Sequence, residues 1–144
     1  MNLSNNVRIT TALDYASGAV DRTGVVLDMQ GFDGVLMVVK LAAVAGSANI
    51  IKAQQGAAAN LSDAADLAGT GWTFAAANAN QIYVIDVYKP QKRYVRLFVD
   101  KDGVNVVAES AIYIQYEAGS LPVSNNVANV VASKLQISPA EGPA

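Results

Sequence analysis

Apolar and polar residues alternate with a period of two along much of the chain, and no long stretch keeps a helical period. The clearest case is Val104 to Glu117. There Val106, Ala108, Ser110, Ile112, Ile114 and Tyr116 fall on one face, with Val107, Glu109, Ala111, Tyr113, Gln115 and Glu117 on the other. One face is plainly the more apolar, which predicts a half-buried strand with Ile112 towards the core. Gln81 to Tyr88 and Arg93 to Asp100 read as two further strands, separated by the turn Lys89-Pro90-Gln91-Lys92. Pro90 cannot donate to a strand ladder and presses Lys89 towards extended φ/ψ. With the turn Asp100-Lys101-Asp102-Gly103, these three segments are expected to form a consecutive antiparallel meander.

Upstream, Val7 to Thr11 alternates weakly, as a short edge strand would, and Gly24 to Met29 reads as a second strand. The segment Gln30-Gly31-Phe32-Asp33-Gly34 is a turn, because Asp-Gly supplies positive φ. Gly34 to Val44 follows, apolar on both faces until Lys40, and then Ile50 to Gln54. Residues 56–80 are rich in Ala, Gly, Asn and Asp. They predict a long loop with at most one short helix, started by Ser62-Asp63 and running towards Leu67. Beyond Glu117, Gly119-Ser120-Leu121-Pro122 and Ser124-Asn125-Asn126 interrupt the pattern. Val127 to Ile137 fits helix and strand equally poorly, and Ser138 to Ala144 forms no regular structure alone.

The sum predicts an all-β, single-domain antiparallel β-sandwich or jelly-roll-like barrel with a long Ala/Gly-rich loop and extended termini. Its divisions are an N-terminal arm at 1–6, the sandwich at 7–118 and a C-terminal extension at 119–144.

Composition narrows what such a domain does. The 144 residues are 52% apolar and only 15% charged, against about a quarter charged in a typical globular domain. Too little polar surface exists to cover the Ala and Val, so some apolar surface is expected to meet a partner. Strands apolar on both faces, Val35 to Val39 and Ile82 to Val87, can bury one face in the sandwich and the other against a symmetry mate. There is no histidine and no cysteine. That removes the commonest general base, thiolate nucleophiles, disulfides and zinc-thiolate sites. No acid–base set converges, so no catalysis and no cofactor is expected. The net charge of −2 offers no field for nucleic acid. Met1 to Asn6 lacks the character of a cleaved leader, and Val35 to Val39 is too short to span a bilayer; no membrane is expected as a partner.

Several patterns have plainer explanations than ligand binding. Asp100-Lys101-Asp102-Gly103 resembles the start of a calcium loop, yet Ala111 stands at the twelfth position where the acidic ligand belongs. Asp63 and Asp66 suit the start of a helix as well as a metal. The one concentrated charge is Lys89, Lys92, Arg93 and Arg96, interleaved with Tyr88 and Tyr94. Basic residues beside aromatics can bind nucleic acid, but the cluster is small and the chain is acidic. Cations pairing with carboxylates of a neighbouring subunit or partner fit better. Trp72 is either an anchor of its small-residue loop or an interface hot spot. Tyr88, Lys89, Lys92, Arg93, Tyr94, Arg96 and Trp72 are therefore the candidate interface residues.

The stretches Gly31 to Val35, Ile51 to Gln55, Asp86 to Arg96 and Ser138 to Gly142 resemble a family of small tailed-phage structural proteins, with Asp86 to Arg96 the most specific. The resemblance runs from about Val7 to the end. It implies a capsid cement or decoration protein, commonly trimeric, on the outer surface of the virion head and in contact with the major capsid protein. Such a protein is made in the host cytoplasm. Two alternatives remain open at this level: a tail or head-tail connector subunit, and a carbohydrate-binding β-sandwich using Trp72 and nearby tyrosines.

Overall fold

The β-branched and aromatic runs of the sequence pair as strands in the computed structural model, which describes residues 2–138 and 140–143. Met1, Pro139 and Ala144, which fall in the expected terminal segments, lie outside the described residues. In chain order the strands are β1 (Arg8–Gly18), β2 (Arg22–Thr23), β3 (Leu27–Asp28), β4 (Phe32–Val44), β5 (Asn49–Gly56), β6 (Ala65–Asp66), β7 (Trp72–Phe74), β8 (Ile82–Tyr88), β9 (Tyr94–Asp100) and β10 (Val107–Ala118). They form two antiparallel sheets, an all-β sandwich. The first has the order β1-β10-β4-β8. In the second, β9 and β5 lie side by side, with β2 and β3 along the outer edge of β9 and β6 and β7 along the outer edge of β5.

The expected meander does not form. β8 pairs with β4 in the first sheet, β9 with β5 in the second, and β10 returns to the first between β1 and β4. Lys89 to Arg93 is thus a crossover between layers. Lys89 is not extended but sits at φ +50°, and its amide donates to the Asp33 carbonyl at 2.7 Å, which turns the chain out of the first sheet. A hairpin and a crossover share the same turn residues, so local sequence could not separate them.

Other local expectations also yield to tertiary pairing. β1 is eleven residues long; register shifts at Thr11/Leu13 and Leu13/Ala16 had hidden its alternation. Gly24 to Met29 is not one strand, because its residues serve both layers. The Gly24 amide donates to the Leu97 carbonyl at 2.8 Å and the Val25 amide to the Ala12 carbonyl at 3.0 Å. A Cβ at Gly24 would lie 2.3 Å from the Tyr113 hydroxyl, so only glycine fits there. No helix starts at Ser62. The Asp63 carboxylate accepts from the Ala57 and Ala58 amides behind it, at 2.8 and 3.1 Å, and so cannot cap residues ahead. The loop instead contributes β6 and β7 and a short 3₁₀ turn at Ala76–Asn78. Leu3–Asn6 closes one helical turn where an extended arm was expected.

The two inner faces interdigitate through Val35, Met37, Val39 and Leu41 of β4, Ile51 and Ala53 of β5, Val95, Leu97 and Val99 of β9, and Tyr113 of β10. Here the largest correction arises. The core face of β10 is Val107, Glu109, Ala111, Tyr113 and Gln115; Ile112 points outward and is 38% exposed. The more polar row is the buried one because each polar group in it finds a partner. The Gln115 amide donates to the Asp28 carbonyl at 2.9 Å. The Tyr113 hydroxyl accepts from the Leu97 amide at 2.9 Å, and burial raises its pKa well above the usual phenol range.

Glu109 is fully buried yet carries two cations. Arg22 Nη1 donates to Oε1 at 2.9 Å, and Lys101 Nζ lies 3.1 Å from Oε2, an ionic contact too poorly aligned for a hydrogen bond. Lys101 is 1% exposed and also donates to the Gly18 and Val107 carbonyls, at 3.0 and 3.2 Å. Arg22 Nη1 further reaches the Asp14 carbonyl at 2.8 Å. The cluster ties together β1, β2, β10 and the β9–β10 turn. That turn therefore owes its buried lysine to Glu109, while Asp100 only accepts from the Asp102 amide at 2.8 Å.

Candidate assembly surfaces

The two outer faces of the sandwich differ in kind. On the second sheet, alternation turns Lys52, Gln54, Arg96 and Phe98 outward, and these satisfy one another. Lys52 meets Asp66 at 2.6 Å, Gln54 donates to Asp66 at 2.8 Å, and Arg96 donates to Gln54 at 2.8 Å. The Lys52 ammonium also sits 5.3 Å above the Phe98 ring. Both hydrogen bonds hold the Asp66 carboxyl below its usual range, the one from Lys52 foremost.

On the first sheet, cross-strand registry lines up apolar rows at the centre of the face, and its polar bonds, Tyr116 to Asp86 and Lys40 to the Asn80 carbonyl, lie towards the ends. One row runs Thr11, Ile112, Val38, Val84 and the next Ile9, Ile114, Leu36, Asp86. Ile82 is 60% exposed and Val84 46%. At the β1 irregularity Thr11, Leu13, Tyr15, Val38 and Ile112 border a shallow hollow of about 360 Å³. At the other end Tyr88 and Tyr116 stack with centroids 6.4 Å apart. Burial, and then donation to Asp86, raise the Tyr116 phenol well above the usual range. Ile9, Leu36, Ile112 and Ile114 are functional candidates that the nominated set does not contain. Only Leu36 lies in a doubly apolar run, Val35 to Val39; periodicity assigns Ile112 and Ile114 to the core face.

The nominated residues do not converge on one surface. Tyr88, Lys89, Lys92 and Arg93 gather at the crossover. There Met29, Gln30, Asp33, Lys89, Pro90 and Arg93 border an open depression of about 460 Å³. Tyr88 donates to Glu117 at 3.0 Å, and the Lys89 ammonium lies 5.3 Å from the Tyr88 ring. Arg93 does not need a neighbouring subunit for a carboxylate. It holds Asp28 of its own chain in a two-pronged bond, at 2.9 and 2.8 Å, with its guanidinium 5.3 Å from the Tyr94 ring. Lys89 and Lys92 meet no carboxylate among the described residues. Arg96 belongs to the second sheet. Trp72 stacks between Phe74 and Tyr83, at 5.7 and 4.7 Å, while the Tyr83 hydroxyl donates to the Thr70 carbonyl at 3.0 Å. That stack joins β7 of one layer to β8 of the other.

The Asp28–Arg93 bond carries a pH signature. The hydrogen bond from Arg93 holds the Asp28 carboxyl below its usual value, against a smaller opposing effect of burial. A depressed folded pKa contributes stability above the unfolded carboxylate value of about 3.9, and loses it as pH falls through the lower folded value. Urea unfolding of wild type and Arg93→Gln should therefore differ at pH 6 and converge towards pH 2. A difference that grows on acidification would reverse this sign.

The class these features define is an all-β sandwich with one self-satisfied face and one unpartnered apolar face. No protein-family model matches the chain, and no curated protein matches it. Among solved structures, the crystal structure of PBSX exported protein XepA is similar to it, with a TM-score of 0.54 and 21% identity over 98% of this chain. That likeness is one of fold. This chain spans 46% of the length of XepA.

Proposed function

We propose that the chain is a non-catalytic structural component of a phage virion, a cement or decoration protein that bridges major capsid protein subunits on the outer head surface as a homotrimer. The observation that carries the reading is the unpartnered apolar face of the first sheet, set against a second sheet whose outer side chains satisfy one another. The likeness of fold to PBSX exported protein XepA is compatible with it.

Magnitude favours adhesion in many copies over one tight contact. Four strands about 4.8 Å apart and seven residues of about 3.3 Å each give a patch roughly 20 Å on a side. This is about half of the ~800 Å² per partner in a standard interface. One such patch binds weakly, but a lattice of copies holds collectively. Lys89 and Lys92, beside the patch, then serve as the cations for carboxylates of the capsid.

The test is occupancy on heads lacking the protein, read by cryo-EM after adding purified chain. Wild type should decorate the outer shell in fixed ratio to the major capsid protein. Lys89→Glu/Lys92→Glu should keep its fold and lose occupancy several-fold. Density confined to the tail would overturn the reading in favour of a connector, as would six-fold rings by native mass spectrometry.

A further inference from the structure

The two edges of the first sheet are treated differently. Along β1, the chain's own C-terminal extension covers the open backbone: Asn125 Oδ1 accepts from the Ile9 amide at 2.6 Å and Asn129 Oδ1 from the Thr11 amide at 2.9 Å. Side-chain amides thus do what a further strand would do, and they shield this edge from chance pairing. Along β8 nothing comparable exists. Among the described residues its backbone pairs only with β4, leaving seven residues of open edge, Ile82–Tyr88, without proline and with Asp86 as the one charge.

The extension itself continues past its anchor. Residues 131–138 are extended or bent, exposed throughout, and hydrogen-bonded to nothing among the described residues. Val131 is 93% exposed and Ile137 96%. Read with period two, Val131, Leu135 and Ile137 share one face, and Lys134 and Gln136 the other. This is a one-faced strand pattern that its own chain leaves unused.

The geometry points to strand exchange: residues 131–137 of one copy add as an antiparallel strand to the open β8 edge of a second copy. Direction, register and charge agree on this occupant. The extension runs parallel to β1, since Asn125 and Asn129 follow Ile9 and Thr11 in the same order. Three antiparallel pairings separate β1 from β8, so β8 runs opposite to the extension. A second copy set edge to edge in the same orientation therefore presents β8 antiparallel to the extension. When Lys134 is placed opposite Asp86, Leu135 falls opposite Ile85 and Ile137 opposite Tyr83. Both apolar residues then lie on the core side, next to Ile85 and Tyr83, and Lys134 lies outward beside the carboxylate. A one-residue slip would turn Leu135 to the opposite face. The contact is heterologous, joining the extension edge of one copy to the β8 edge of the next.

This rests on the assembly reading above, but it is tested on the isolated protein, without capsid. The chain has no cysteine, so Asp86→Cys and Lys134→Cys introduce single thiols at positions the register sets opposite. An equimolar mixture, oxidised, should give a mixed disulfide dimer well above the yield of either variant alone. In sedimentation, the full chain should populate oligomers, while a chain ending at Asn129 should run as a single copy and still unfold cooperatively. Oligomers that survive the truncation would overturn the proposal. So would a doubly substituted chain closing its disulfide within one copy. Failure here with capsid occupancy intact would sink the strand exchange and leave the cement reading standing.

Discussion

Glu109→Ala is expected to lower the free energy of unfolding by about 3–5 kcal/mol, the range for breaking a buried ion pair from one side. The carboxylate is fully buried and holds Arg22 at 2.9 Å and Lys101 at 3.1 Å. Removing it leaves a lysine that is 1% exposed with only the Gly18 and Val107 carbonyls for company. An ammonium without a counter-charge in that position faces the full cost of desolvation. Lys101→Met, which keeps the aliphatic stem and leaves Arg22 on the carboxylate, should lose distinctly less. Denaturant unfolding of the two variants, with Glu109→Ala/Lys101→Met to complete the cycle, measures the coupling. Equal losses from both single variants would mean that Arg22 alone does not neutralise Glu109 once Lys101 is gone. A loss under about 1 kcal/mol for Glu109→Ala would mean that water reaches the cluster.

The second large effect tests which face of β10 is buried. Tyr113→Ala should cost about 3–5 kcal/mol, since it empties an aromatic site in the core. It also leaves the Leu97 amide without the hydroxyl that accepts from it at 2.9 Å. Ile112→Asp, one residue away, should cost only about 1 kcal/mol, as surface changes do, because Ile112 is 38% exposed on the outer face. Alternation alone predicts the reverse. Thermal melts of both variants decide between them: an unfolded Ile112→Asp chain beside a stable Tyr113→Ala chain would restore the face that periodicity favours. On the assembly reading, Ile112→Asp should also weaken association while leaving the fold intact.

Much of this protein was legible before any tertiary information. Period-two patterning and β-branched runs located the strands around Val35, Ile51, Ile85, Leu97 and Tyr113, and they gave the all-β class. The doubly apolar runs at Val35 to Val39 and Ile82 to Val87 pointed to an exposed apolar face, and that face exists. The misreadings share one cause: local sequence records which residues are extended and says little about what they extend beside. The crossover at Lys89 to Arg93 has the residues of a hairpin turn. Gly24 and Val25 bond to different layers, so their strand pattern never becomes one strand. Arg93 had every mark of a cation awaiting a partner's carboxylate, but Asp28, 65 positions away, had already met it.

The sequence by itself determined that this chain folds into sheets, that it carries no histidine or thiol chemistry, and that it has more apolar surface than one core consumes. These follow from composition and period, which are properties of the chain alone. Only the tertiary structure decided which of two alternating faces is buried. Burial of a polar residue depends on whether a partner arrives from elsewhere in the chain. Glu109 looks like a surface residue until Arg22 and Lys101 are brought to it. Once they are, the polar row turns inward and Ile112, Ile114 and Val84 are left outside, on the face where this protein has room for another.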